Sequence, residues 1–335
     1  MVNIMKKCDE DILNEFVKTR NLTLRTKHGY KDSLRIYLLV QEISFEELLE
    51  EAESEEEDRV RWKNRSLKFR LINFRIYLEE NYLKSTARTH FQRIKTLYGH
   101  FEIEIHSLPP SSTKNNNDFK PISFSDLPSR EIIKSAIEIS NPLMRAMILF
   151  MVSSGCARKE TLNLTIQDFI ESTKGYHNET DIHEVLKILK AHDNVIPTFK
   201  LRRYKTDKFY FTFCSPEAVN EIINYLELEK RELKPNSPLF KINLDYLNTN
   251  FKNINDILNL GKVRKYRRFR SHMLRKFHAS SLYNSENSLS VDEIDSLQGR
   301  SKNITRSSYF MEDPSKLKEK YVDSMDSIII LDKKM

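Results

Sequence analysis

The chain has 335 residues, of which 39% are hydrophobic and 31% charged, with a formal net charge of +7. That length has room for two domains with proper cores, and no segment approaches eighteen uninterrupted apolar residues, which argues against a membrane span. Six glycines and ten prolines favour helices over a turn-rich β architecture, and the basic surplus points towards a polyanionic partner.

Cys8, Cys156 and Cys214 are odd in number and widely spaced, which fits neither a disulfide framework nor a zinc site and suggests a reducing interior. Met1 to Lys7 lacks the apolar core of a signal peptide. A cytoplasmic protein is expected.

Residues 1–105 read as a helical domain. Ile12, Leu13, Phe16 and Val17 keep helical spacing, as do Leu34, Ile36, Tyr37 and Leu38. Ser44 with Glu47 three residues on forms a capping box for a helix through Leu49. The acidic run from Glu46 to Asp58 reads as a solvated face or loop. Val60 to Tyr82 and Lys84 to Phe101 then interleave apolar and basic residues as two more helices, the second capped by Ser85 or Thr86. On these helices Arg65, Lys68, Arg88, Arg93 and Lys95 are candidates for contact with a DNA backbone. Residues 106–119, with Pro109-Pro110 followed by small polar residues, read as a linker.

The second domain begins near Lys120. Asp126 with Pro128 opens a helix through Ile139, and Pro142 opens another through Val152. Thr198 to Leu201 and Phe209 to Phe213 read as strands of a hairpin, with lysines in the turn Tyr204 to Lys208. Helices are expected from Ser215 to Leu228 and from Asn243 to Leu258. Lys262 to Arg270 then sets six basic residues around Tyr266 and Phe269, which makes Arg264, Lys265, Arg267, Arg268 and Arg270 further candidates for DNA contact. His272 and Arg275 follow, three apart and therefore on one helix face, and Gly299-Arg300 precedes Tyr309 by nine residues.

Taken in order, Arg158, Lys205, His272, Arg275, Arg300 and Tyr309 resemble the tyrosine recombinases, the phage-integrase family of DNA strand-exchange enzymes, and within it the integrases of archaea and their mobile elements. The fold this implies is mainly α with a small antiparallel β-sheet (α+β). A helical core-binding domain would clamp DNA, residues 120–324 would form the mixed catalytic domain, and residues 325–335 a tail that docks on a neighbouring protomer or back on its own domain. The resemblance implies double-stranded DNA as partner, a tetramer on DNA, and no cofactor or metal. A contribution from accessory DNA-bending proteins stays open.

The chemistry needs these residue types. Attack on a phosphodiester builds charge on its non-bridging oxygens, which forked guanidiniums such as Arg158 and Arg275 stabilise well. Tyr309 would be the nucleophile, conserving the bond as a 3′-phosphotyrosine, with His272 taking its proton. Lys205 would protonate the leaving oxygen, with Lys208 in reserve.

Two departures stand out. In the family the first arginine sits two residues after the glycine and three before a glutamate. Here Gly155 and Glu160 put Ala157 in that register, with Arg158 one place later, a rotation of roughly 100° on an ideal helix. Either a local bulge re-aims Arg158, with Glu160 as its buttress, or this arginine is not catalytic. Arg300 stands where the family commonly has histidine or tryptophan, which leaves His272 as the base. His278 and Cys156 read as packing residues, and Tyr321 is a rival nucleophile whose spacing from Leu317 fits a docking helix better. A type IB topoisomerase-like enzyme and a non-enzymatic DNA-binding descendant of a recombinase are the alternatives.

Overall fold

The structure is a computed structural model and describes residues 5–110, 122–203, 207–300 and 313–331. The chain divides into two compact units, Met1–Lys120 and Pro121–Met335.

The first unit holds α1 (Lys7–Thr19), α2 (Leu24–Gln41), α3 (Phe45–Glu57), α4 (Ser66–Asn81) and α5 (Lys84–His100). Their inward stripes bury Phe16, Tyr37, Phe45, Phe74 and Tyr98, and the Tyr37 and Tyr98 hydroxyls, which apolar burial would otherwise strand, bond each other at 3.0 Å. Ser44 and Glu47 form the expected capping box, but the helix does not stop at Leu49. It runs on through the acidic residues because basic residues of α4 face them: Glu51 binds Arg70 at 2.6 Å and Glu56 binds Arg65 at 2.5 Å. Glu55 accepts the Ser66 N–H at 2.8 Å, placing a carboxylate at the start of α4 where the helix dipole favours it.

That helix therefore starts at Ser66 and not at Val60, and Trp62–Asn64 form a separate 3₁₀ turn. The cap position of α5 is Leu83, with no side-chain cap, in place of the expected Ser85 or Thr86.

The second unit begins with a 3₁₀ turn, Phe124–Asp126, and its first helix starts later than expected, capped by Ser129. Its helices are α6 (Arg130–Glu138), α7 (Pro142–Ser154), α8 (Arg158–Leu162), α9 (Ile166–Ser172), α10 (Ile182–Lys190), α11 (Pro216–Leu228), α12 (Leu244–Ile257), α13 (Ser271–Tyr283), α14 (Val291–Leu297) and α15 (Pro314–Ser324). β1 (Thr198–Arg203) pairs antiparallel with β2 (Lys208–Phe213), Arg203 facing Lys208 at the turn end. A second ribbon, β3 (Lys262–Val263) with β4 (Tyr266–Arg267), forms where the sequence showed only basic clustering.

α7 is the core helix. Every side chain from Ala146 to Ser154 is buried, with α11 and α13 packed against it. α15 lies on this core through Tyr321, fully buried, whose hydroxyl donates to the Ser153 carbonyl at 2.9 Å. Burial holds that phenol well above its ordinary pKa, and its packing on the core matches the docking helix expected from the Leu317–Tyr321 spacing. The following segment folds back on its own domain: Ile328 and Ile330 are buried, and the Ile330 and Leu331 N–H groups donate to the Glu217 carboxylate at 3.0 and 2.7 Å.

Candidate functional site

The site is built where α7 ends. Gly155 closes that helix in the left-handed region (φ 62), and a Cβ there would lie 2.5 Å from His278 Nδ1, so position 155 has both a backbone and a space requirement for glycine. Cys156 is buried, Ala157 is extended, and α8 starts at Arg158. The offset arginine thus opens a new helix after an extended residue, at the helix start where a local bulge was expected. Its Nη1 donates to Asn248 Oδ1 of α12 at 2.6 Å. Glu160 is buried but forms no hydrogen bond to Arg158, and its Oε2 has no partner among the described residues. The side chain that Arg158 meets is Asn248, which no local sequence pattern singles out.

α13 supplies His272 and Arg275. Arg275 is buried, with Nη1 donating to the Gly155 carbonyl at 2.5 Å and Nη2 to the Gln298 carbonyl at 2.6 Å, so one guanidinium ties the end of α7 to the end of α14. Burial, followed by the neighbouring Arg203, lowers its pKa to about 10. Gln298 returns the contact, its Nε2 donating to the Arg275 carbonyl and to His278 Nδ1, both at 3.0 Å. His278 is fully buried, and burial lowers its pKa to about 3, so it stays neutral and structural. Gly299 (φ 57) would place a Cβ 2.5 Å from the Tyr210 ring, and that phenol touches Cys156 Sγ at 3.6 Å. Burial raises the Cys156 thiol to about 11, which leaves it a packing residue.

Arg158, His272 and Arg275 line one open cleft of about 580 Å³, bordered by Lys262, Lys265 and Arg270. His272 is exposed to the cleft. Its pKa is held below the ordinary imidazole value, first by partial desolvation and then by the cations Lys276, Arg270, Arg275 and Arg300. It is therefore neutral near pH 7 and able to accept a proton. Lys276, one turn beyond His272, was not singled out in the sequence, although its spacing of four residues was the available signal. Burial and the cations Arg270, Arg264 and Arg300 lower its pKa in turn.

Arg300 stands apart from the cleft wall. It is exposed and its Nη1 contacts Asp295 Oδ1 at 3.2 Å. Lys205 and Tyr309 lie outside the described residues, and Lys208 is exposed at the start of β2.

The candidate DNA-contacting residues divide by what they touch. Arg264, at the turn of the β3–β4 ribbon with φ 58, and Lys265 are exposed, and Tyr266 is flanked by Lys265 and Arg270 at 5.3 and 5.1 Å. Arg267 is paired with Asp256 at 3.1 Å. Arg268 is turned inward, holding the Ser125 and Leu127 carbonyls at 2.8 and 3.1 Å, and acts as a structural clamp. In the first unit Arg88 is exposed, Lys95 is half-buried, and Lys68 lies over the Phe69 ring at 5.9 Å. Arg65 and Arg93 face inward instead. Arg65 is buried against Glu56, while Arg93 donates to the Gly29 carbonyl at 2.9 Å and lies over Tyr30.

No protein-family model and no curated protein matches the chain significantly. Solved structures do. The XerH site-specific recombinase bound to difH substrate is similar in its pre-cleavage complex, with TM-score 0.53 and 17% identity over 92% of this chain and 82% of that one. Its post-cleavage complex on palindromic difH substrate gives TM-score 0.54 at 17% identity, over 93% and 83%. The Tn1549 transposon integrase in complex with circular intermediate DNA gives TM-score 0.51 at 13% identity, over 94% and 98%. The fold of this chain, mainly helical with a small antiparallel sheet, is that of the tyrosine recombinases.

Proposed function

We propose that this protein is a site-specific DNA recombinase of the tyrosine type, an integrase that cuts and rejoins duplex DNA through a covalent 3′-phosphotyrosine. The observation that carries this reading is the convergence of Arg158, His272 and Arg275, from chain segments more than a hundred residues apart, on one cation-bordered cleft. In the step envisaged, the Tyr309 hydroxyl attacks the scissile phosphorus and gives its proton to His272. The 5′-oxygen leaves with a proton from Lys205, while Arg158 and Arg275 hold the charge on the non-bridging oxygens. The phosphotyrosine keeps the bond energy for religation, so no ATP is consumed.

Residues 1–105 would clamp the duplex, 106–119 link, 120–324 catalyse, and four protomers would assemble on two sites. The similar XerH recombinase and Tn1549 integrase are bound to difH substrate and to circular intermediate DNA. For this chain the DNA partner is inferred from the cleft.

The test is a library of nicked duplexes with a randomised core, incubated with the full chain and selected for covalently attached protein. An adduct that disappears in Tyr309→Phe supports the reading, and the recovered sequence names the site. Adducts without sequence preference, accompanied by plasmid relaxation and no strand exchange, would point to a topoisomerase-like enzyme. Binding without any adduct would point to a non-enzymatic DNA-binding protein, a reading that the pairing of Arg300 with Asp295 would suit.

A further inference from the structure

We propose that Arg203, at the end of β1, is a third guanidinium of the phosphate-binding site, set beside Arg275 to hold an oxyanion; this rests on the recombinase reading for the identity of that oxyanion, the scissile phosphodiester. Arg203 Nη1 donates to the Gln298 carbonyl at 2.7 Å, and Arg275 Nη2 donates to the same oxygen at 2.6 Å. Sharing one acceptor brings the two guanidiniums within about 5 Å of each other, where like charges in a partly buried setting repel strongly.

Arg93 and Arg268 also hold carbonyls, but no other two arginines among the described residues share one acceptor. Arg65, Arg70, Arg145 and Arg231 are all partly or largely buried, and each meets a glutamate at 2.8 Å or less. Arg203 and Arg275 meet only carbonyls among the described residues, and Arg203 Nε is buried with no acceptor. The repulsion is visible at Arg275, where Arg203 is the largest cause of the lowered pKa after burial. Two neighbouring guanidiniums sharing one neutral dipole stabilise a fold poorly. They are suited to an anion with several oxygens, because forked donors can each take one oxygen and the anion cancels the repulsion.

The position also suits the chemistry. Arg203 is two residues before Lys205 in sequence and reaches the backbone of Gln298, which precedes Gly299-Arg300. A phosphate held there would lie against Arg275, the arginine that stabilises the transition state. The alternative is a purely mechanical pin, fastening the base of the hairpin to the end of α14. The two roles separate by charge, since a pin does not sense whether the phosphate is ionised.

The test compares full-length wild type, Arg203→Met and Arg203→Lys on a nicked duplex recovered by the wild type. The scissile group is either the natural phosphodiester or an uncharged methylphosphonate. On the phosphodiester, Arg203→Met should slow adduct formation by at least about tenfold, a modest fraction of what a single charge-stabilising donor supplies. DNA affinity should stay within about twofold, because one phosphate contact among many is lost. Arg203→Lys should recover most of the rate. On the methylphosphonate, Arg203→Met and wild type should react at similar rates. Equal loss on both substrates, or no loss on the phosphodiester, overturns the inference. Should the wild type form no adduct with any duplex, the recombinase reading falls and inorganic phosphate becomes the probe. It should then raise the melting temperature of the wild type more than that of Arg203→Met, and equal shifts would sink the anion site itself.

Discussion

Two basic stretches in this chain read alike and end differently. Arg65 to Arg75 on α4 and Arg264 to Arg275 across the β3–β4 ribbon and α13 both interleave arginine or lysine with aromatic and aliphatic residues. In the first, the glutamates of α3 meet two of the arginines, Arg65 and Arg70, and the charge is spent on holding two helices together. In the second, Asp256 meets Arg267, Arg268 clamps carbonyls, and Arg270 and Arg275 face a common cleft with His272. What a cation does depends on whether an acid stands opposite it, and that acid comes from another element. Removing cations one at a time from each stretch tests the distinction.

The largest combined effect, on cleavage and on stability together, is expected at Arg275. Arg275→Ala should cut the rate of adduct formation by about 10²–10³-fold or more, since it removes a donor aimed at the developing charge. It also strips the Gly155 and Gln298 carbonyls of their buried donor, at a cost of about 1–3 kcal/mol for each group left unsatisfied. Adduct assays and thermal melts would show both losses together, with duplex affinity little changed. A variant that melts normally and cleaves normally would put Arg275 in the same class as a solvated surface residue.

Next comes Arg158, the residue one place out of the family register. Arg158→Ala should abolish detectable cleavage while sparing binding. Asn248→Ala, which removes only the acceptor that orients the guanidinium, should slow cleavage by about tenfold, in line with loss of precise orientation. If Asn248→Ala is silent in the adduct assay, the bond to Asn248 does not set the working geometry.

The sequence carried different parts of this arrangement with different clarity. Helix ends were legible where a side chain announces them: Ser44 with Glu47, Pro142, and Pro216 after Ser215 all mark the starts observed. The β1–β2 hairpin was legible because Phe209 to Phe213 is rich in β-forming aromatics. The start of α4 was not, since Val60 to Arg65 keeps an apolar-basic pattern and the choice of Ser66 depends on Glu55 from the preceding helix. α10 passed unremarked although its apolar stripe is clear, and Asn248 and Arg203 could not be assigned by local pattern at all. Asn248 matters through a bond to a residue ninety positions away, and Arg203 through a carbonyl ninety-five positions away. Order along the chain identified His272 and Arg275, and only the fold shows what surrounds them.

A smaller effect separates the two kinds of cation in the first unit. Arg65→Met should destabilise by about 1–3 kcal/mol, because Glu56 loses the partner that offsets its partial burial, and it should leave DNA affinity unchanged below the melting transition. Arg88→Ala should do the reverse: stability within about 0.5 kcal/mol of wild type, and a slope of log affinity against log salt reduced by about one. Chemical denaturation and a salt titration of duplex binding check the pair. If both variants change the salt slope equally, burial does not decide which arginines touch DNA.

The smallest effect is a shift along the pH axis, and it probes the cleft from inside. His272 can take the Tyr309 proton only while neutral, so cleavage should fall as pH drops through the His272 pKa. Partial desolvation and the surrounding cations hold that pKa below the ordinary imidazole value, so the acid limb should lie below it as well. Lys276 is the largest of the charged contributors. Lys276→Met removes that cation, raises the His272 pKa, and should move the acid limb to higher pH, while Lys276→Arg keeps the charge and should leave it in place. Measuring the rate of adduct formation against pH for the three proteins decides the matter. An acid limb that stays put in Lys276→Met would mean that a group other than His272 takes the proton, and that the field of the surrounding cations does not act through the imidazole.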